Sequence, residues 1–157
     1  MSRRGAVSPR GARDLDAVVP YRVYQANRLL RTHLMRFLDE YADGVSPEQW
    51  FILQRLAERA PRRQVELADP ALRDAPNVTR LVDALIDRGL VQRNADPDDR
   101  RSWLVSLTAA GRKLISRSWP EVVAARRELY DGIRDDEIEL FLTLLDRLET
   151  NTRALLA

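Results

Sequence analysis

Between Val78 and Gly89 the chain repeats apolar residues at i, i+3, i+4, i+7 and i+8 (Val78, Leu81, Val82, Leu85, Ile86), and just past the glycine the period changes to two. The first pattern is one face of a helix, and Gly89 is the kind of residue on which a helix ends. Leu90 to Arg93 and Arg101 to Leu107 then read as strands, the second with Trp103, Val105 and Leu107 on one face and Ser102, Leu104 and Ser106 on the other. NADPDDRR, residues 94 to 101, is left as the hairpin loop. A two-stranded hairpin is marginal by itself, and a one-sided helix needs something to bury its stripe. Both must therefore pack on further helices.

The flanking sequence supplies them. From Pro20 the residues Val23, Ala26, Leu30, Leu34, Phe37 and Tyr41 recur at helical spacing until Asp43-Gly44. Ser46-Pro47-Glu48-Gln49 carries an N-cap, a proline at the first helical position and a Gln three residues after the cap. Trp50, Leu53, Leu56, Ala57 and Ala60 form the buried face of this second helix, which Pro61 stops. Gln64 to Ala68 predicts a short third helix cut by Asp69-Pro70, and the striped helix restarts near Asp74 or Ala75. Thr108 caps a fifth helix reaching about Tyr130 with a bend at Pro120, and Gly132 ends it. In the last helix, from Asp135, Ile138, Phe141, Leu145, Leu148, Thr152 and Leu155 alternate in steps of three and four, a seam that asks for a partner and predicts dimerisation. The expected fold class is mainly α with a small β-hairpin wing (α+β): a winged helix-turn-helix flanked by N- and C-terminal helices. In such an order the helix before the hairpin enters the major groove of DNA, and the loop reaches the backbone or minor groove.

Composition narrows the chemistry. A length of 157 residues suits one folding unit or two small lobes sharing a core. Lys plus Arg total 26 against 24 Asp plus Glu, so net charge neither demands nor forbids a polyanion, and clustering decides. Lys113 is the only lysine, and arginine is the residue whose planar fork suits phosphates and guanine edges. Absence of cysteine removes thiolate metal sites and cysteine nucleophiles. His33 is the only histidine, which leaves nothing from which to build a Ser-His-Asp arrangement or a histidine metal cluster, so no enzyme and no cofactor are expected. DPDDRR has the alternating aspartates of a calcium loop but lacks its turn glycine and distal glutamate, so no metal is expected either. No apolar run approaches about 18 residues, and MSRRGAVSPRGARD lacks the apolar core of a secretory signal. A cytoplasmic protein with a disordered basic tail over residues 1–17 is expected.

The stripe turns Asn77, Thr79, Arg80 and Asp83 away from the core. Arg80 can bond guanine in bidentate fashion and Asn77 can read adenine, Thr79 suits a phosphate, and Asp83, of the wrong sign for DNA, is expected to pair with the wing or its own helix. In the loop, Asp96-Pro97-Asp98 has turn chemistry, and Arg100 and Arg101 are the groups left for a duplex.

VELADPALRDAPNVTRLVDALIDRGLVQRNADPDDRRSWLVSLTAAGRKLI, residues 65 to 115, closely resembles the MarR family of transcriptional regulators in its Leu-Ala start, its VTRLVDAL helix, its GLV lead into the strand, its DDRR wing and its LTxxG exit. With the flanking helices the resemblance covers roughly residues 20 to 156. It implies a DNA-binding lobe at 43–110 between dimerisation segments at 18–42 and 111–157, and a homodimer on a pseudo-palindromic operator. It also implies a repressor released by a small, often aromatic, ligand. The family pattern equates Asp99 with an aspartate that orients the minor-groove arginine, here Arg101. Effectors of the family sit between the two lobes, so His33, Tyr41, Trp50 and Phe51 become candidate pocket residues, each with packing on its own helix as the alternative. DPALRDAP departs from the glycine turn common in the family, so Pro70 and Pro76 leave the start of the recognition helix open. The competing reading is a winged-helix architectural or protein-interaction module with no specific operator.

Overall fold

The computed structural model describes residues 14–67, 75–99 and 101–156. A 3-10 turn at Leu15–Ala17 leads into α1 (Val19–Tyr41) and α2 (Pro47–Glu58). There follow a two-residue strand β1 (Arg62–Arg63), a 3-10 turn (Gln64–Leu67), α3 (Ala75–Asp87), β2 (Val91–Ala95), β3 (Trp103–Leu107), α4 (Ala109–Leu129) and α5 (Asp135–Leu156).

Local chemistry fixes the boundaries. Asp43 and Gly44 adopt left-handed backbone at φ 54° and 65°, which ends α1. Ser46 Oγ accepts the Gln49 N–H at 3.2 Å while Gln49 Oε1 accepts the Ser46 N–H at 2.9 Å, so the expected capping box starts α2. At the C-terminal end of α3, Gly89 (φ 68°) sends its N–H to Ile86 O and Leu90 sends its own to Leu85 O, the paired bonds of a Schellman motif.

The core joins the end of α1 to α2, α3 and the sheet. Leu38, Trp50, Leu53, Leu56, Val78, Val82, Leu85 and Val105 are almost wholly buried. Burial of each large apolar side chain is worth roughly 1.5–3 kcal/mol, as an upper figure because unfolded chains already bury some surface. On α2, Ile52 is buried and Ala57 is exposed, and Ala60 lies exposed beyond the helix end, so its apolar face is rotated from the one the sequence suggests.

Three features differ from the sequence reading. The sheet has three strands in the order β1-β3-β2, because Arg62 and Arg63 pair antiparallel with Val105 and Leu104. The third helix is a 3-10 turn at Gln64–Leu67, and the expected break at Asp69-Pro70 lies outside the described residues. The hairpin is longer in β2 and shorter in β3 than expected, with register Val91↔Leu107 through Ala95↔Trp103, so the loop is residues 96–102. Two residues are too few to show a period, which is why β1 left no trace in the pattern.

The chain forms two compact units divided between Ser118 and Trp119, within α4, which continues as a helix through Pro120. In the first, the N-terminal part of the α1 stripe is uncovered: Val23 and Leu30 are exposed where Phe37 and Leu38 are buried. In the second, α5 buries no residue, and Leu140, Phe141, Leu144 and Leu148 stand open.

Candidate nucleic-acid interface

Asn77, Thr79 and Arg80 occupy the first turns of α3, beside the buried Val78 that locks the helix register. Arg80 Nη2 donates to Asn77 Oδ1 at 2.9 Å, so the two residues expected to read bases already hold each other one turn apart. That bond occupies one nitrogen of a five-donor fork and leaves the rest to a guanine edge. Thr79 Oγ1 accepts from Gln64 Nε2 at 2.9 Å, which joins α3 to the turn before it. Asp83 is paired with Arg93 of β2 at 2.8 Å, so the acid on this helix is neutralised by the wing strand.

The wing loop uses its aspartates on itself. Asp96 is 4% exposed; one carboxylate oxygen accepts the Asp98 N–H at 3.0 Å and the other accepts Arg63 Nε at 2.8 Å. Asp99 accepts the Arg101 backbone N–H at 3.0 Å and the Ser102 hydroxyl at 2.8 Å. These contacts, chiefly the Arg101 N–H and then the Ser102 hydroxyl, hold the Asp99 carboxyl below its ordinary pKa. Here the structure corrects the sequence reading: Asp99 meets the backbone of Arg101 and not its guanidinium. An aspartate reaches the N–H two residues on with little loss of freedom, whereas fixing a long arginine side chain is entropically dearer. Among the described residues no carboxylate pairs with the exposed Arg101 guanidinium. Arg100 lies outside the described residues.

A cavity of about 220 Å³ brings the two halves together, lined by Thr79 and Val78 of α3, Arg101 and Trp103 of the wing, and Arg63 and Gln64. Arg63, Gln64 and the half-exposed Trp103 were not singled out by the sequence; the Arg62-Arg63 pair after Pro61 was the available signal for the first.

The candidate pocket residues differ in exposure. Trp50 is a core side chain at 2% exposure, Phe51 and His33 are exposed, and Tyr41 packs its ring on Phe37 at 5.1 Å. A larger cavity, of about 630 Å³, opens elsewhere in the first unit, with Leu56, Pro61, Gln92, Ser106, Arg112 and Ile115 among its walls. Among the described residues no group of three or more His, Asp or Glu is placed to hold a metal ion, and no helix is long and apolar enough to cross a membrane.

A reading helix with polar residues at its exposed start, a three-stranded sheet and a hairpin loop presenting an open arginine on the same side define a winged helix-turn-helix DNA-binding lobe. Residues 45–103 match the MarR family. A probable transcriptional regulator from Pseudomonas aeruginosa is 33% identical, with a TM-score of 0.71 over 85% of this chain and 98% of its own. Sco3205 of Streptomyces coelicolor, a MarR family regulator solved in complex with DNA, is 27% identical at a TM-score of 0.76, covering 85% of this chain and 89% of its own. CouR of Rhodococcus jostii RHA1, solved with p-coumaroyl-CoA, is 26% identical at a TM-score of 0.76, covering 85% and 93%. The chain belongs to the MarR family of transcriptional regulators. Its relatives are regulators and not enzymes.

Proposed function

We propose that this chain is a repressor that binds a pseudo-palindromic operator as a homodimer and is released by a small ligand. The observation that carries the DNA reading is the cavity that brings Thr79 of α3 together with Arg101 of the wing; in this reading Thr79 and the bonded Asn77–Arg80 pair of the same helix take phosphates and base edges while Arg101 enters the minor groove. Arg100 is assigned to an adjacent phosphate. Dimerisation through segments 18–42 and 111–157 is supported by the open apolar stripes of α1 and α5, since such surfaces are rarely left to water on a small protein. A transcriptional repressor named CouR has been solved on a 23-mer duplex, long enough for two half-sites one helical turn apart. For the ligand, the support is CouR with p-coumaroyl-CoA, together with a cavity here of a volume usual for small-molecule sites.

The test is selection of preferred duplexes from a random pool by the full-length protein, with the mass of the complex measured in parallel. A palindromic winner bound by two chains, at least about a thousandfold tighter than random DNA, is the expected result. Equal affinity for winner and random duplexes, controlled only by salt, would establish the architectural module instead.

A further inference from the structure

The wing loop is tied down by a residue that neither the stripe nor the loop contains. Arg63, in β1, pairs with Leu104 of β3 through the backbone, donates its own N–H to Glu66 Oε2 at 3.1 Å, and sends Nε to the buried Asp96 carboxylate at 2.8 Å. Asp96 in turn fixes both ends of the loop: its side chain accepts the Asp98 N–H, and its backbone N–H donates to Ser102 O at 3.1 Å. The residue after Arg63, Gln64, donates to Thr79 on the reading helix. A continuous set of bonds therefore runs from Thr79 through Gln64 and Arg63 to the loop that carries Arg101, and the Arg93–Asp83 pair joins the same two elements a second time.

We propose that Arg63 is a positioning residue for DNA reading, a latch that sets where Arg101 stands relative to Asn77 and Arg80. This rests on the assignment of Arg101 to the minor groove. The chemistry favours a latch over a direct phosphate contact. Asp96 is a nearly fully buried carboxylate, and removing its counter-charge leaves a buried anion without compensation, so the loop must rearrange to hydrate it. A guanidinium spent on that carboxylate has less left for a phosphate, and a surface arginine kept for phosphate needs no buried acid behind it. The latch also gives β1 a purpose: two residues of strand hold the Arg63 backbone still enough for its side chain to fix the loop.

The experiment uses full-length protein, the selected duplex and a random duplex of equal length. Arg63→Ala, Asp96→Asn, Arg101→Ala and the Arg63→Ala/Arg101→Ala double variant are compared, with amide hydrogen exchange of the free proteins. The latch predicts that Arg63→Ala and Asp96→Asn each weaken binding to the selected duplex by on the order of tenfold, with a smaller effect on random DNA. It predicts that Arg101→Ala adds little once Arg63 is gone. It also predicts faster exchange at the Asp98 and Ser102 amides of Arg63→Ala and of Asp96→Asn, while the Leu53 amide in the core keeps its rate. Additive losses, or tighter binding by Asp96→Asn, would make Arg63 a phosphate contact and overturn the latch. Unchanged exchange at Asp98 and Ser102 would overturn it without reference to DNA. Failure of the underlying assignment looks different: Arg101→Ala would then weaken both duplexes equally.

Discussion

Gly111 is where the DNA-binding lobe has least room. It is the third residue of α4, and a Cβ built on it runs into the Leu90 carbonyl oxygen and lies 3.1 Å from the Leu90 carbonyl carbon and 3.2 Å from Leu107 Cδ2. The first contact is more than 1 Å short of ordinary van der Waals distance, and its partner is backbone, which no rotamer change can move. Leu90 O is also the acceptor for the Thr108 N–H at 3.1 Å. The Thr108 hydroxyl donates to Gly89 O at 2.6 Å and accepts the Gly111 N–H at 3.1 Å, so one threonine binds the end of α3 to the start of α4. Lifting α4 to admit a methyl group pulls on all three bonds.

Gly111→Ala therefore sets two effects against each other. Overpacking costs typically 1–3 kcal/mol and a weakened hydrogen bond about 1 kcal/mol more, while replacing helical glycine by alanine returns up to about 1 kcal/mol. The balance is a loss of roughly 2–3 kcal/mol, or a fall in Tm of roughly 4–12 °C for a chain of this size. Thermal and urea unfolding at one fixed protein concentration measure it, since a dimer's Tm depends on concentration. An unchanged or raised Tm would mean that the close approach of α4 to Leu90 places no constraint on the third residue of the helix.

Gly89→Ala isolates the backbone contribution: nothing lies within 4 Å of its Cβ, so only the φ of 68° opposes the change, and a loss of about 1–2 kcal/mol, smaller than at Gly111, is expected in the same unfolding assay. Trp50→Ala should remove roughly 3–5 kcal/mol if Trp50 is core, whereas Phe51→Ala, on the exposed face of the same helix, should stay within about 0.5 kcal/mol; equal effects would return Trp50 to the pocket reading. Asp99→Ala should weaken binding to the selected duplex although it deletes a negative charge, and tighter binding in a filter or anisotropy assay would refute the role of Asp99 in ordering the wing. Because its pKa is lowered on folding, the order Asp99 provides is complete above the unfolded-state value near 3.8 and is lost only as pH falls through the lower folded value. The Arg101 amide shift, followed by NMR through an acid titration, should accordingly move at a pH below that of a free aspartate. Phe141→Asp with Leu148→Asp should yield a monomer by light scattering, and persistence of the dimer would place the interface away from α5.

What the sequence made legible was whatever repeats. The stripe from Val78 to Leu85 is buried as its spacing demands, the Ser46 capping box forms, and Gly89 ends α3 in left-handed backbone, because each is decided within a few neighbouring residues. Asp83 was also readable, from its sign alone: an acid on a face meant for DNA needs a nearby cation, and Arg93 provides it. β1 was not, since its only content is a pairing with Val105 and Leu104 some forty residues away, and Arg63 shares that fate. Helical spacing placed Trp50 on the buried face of α2 and left Phe51 off it, as the packed lobe has them, but it did not show that Ile52 joins that face, which only the packed lobe decides. The wing joins both kinds of information. Three aspartates in NADPDDRR suggest repulsion from DNA when counted as charges, but as hydrogen-bond acceptors two of them are consumed by the loop's own N–H groups and one of these two also by Arg63. A carboxylate already bonded within two residues of itself no longer competes with phosphate for the arginine beside it. The acid in this loop is therefore the means by which a short, glycine-free turn keeps Arg101 exposed and its backbone fixed, and sequence chemistry of the Asx kind was sufficient to state that once the register of the hairpin was known.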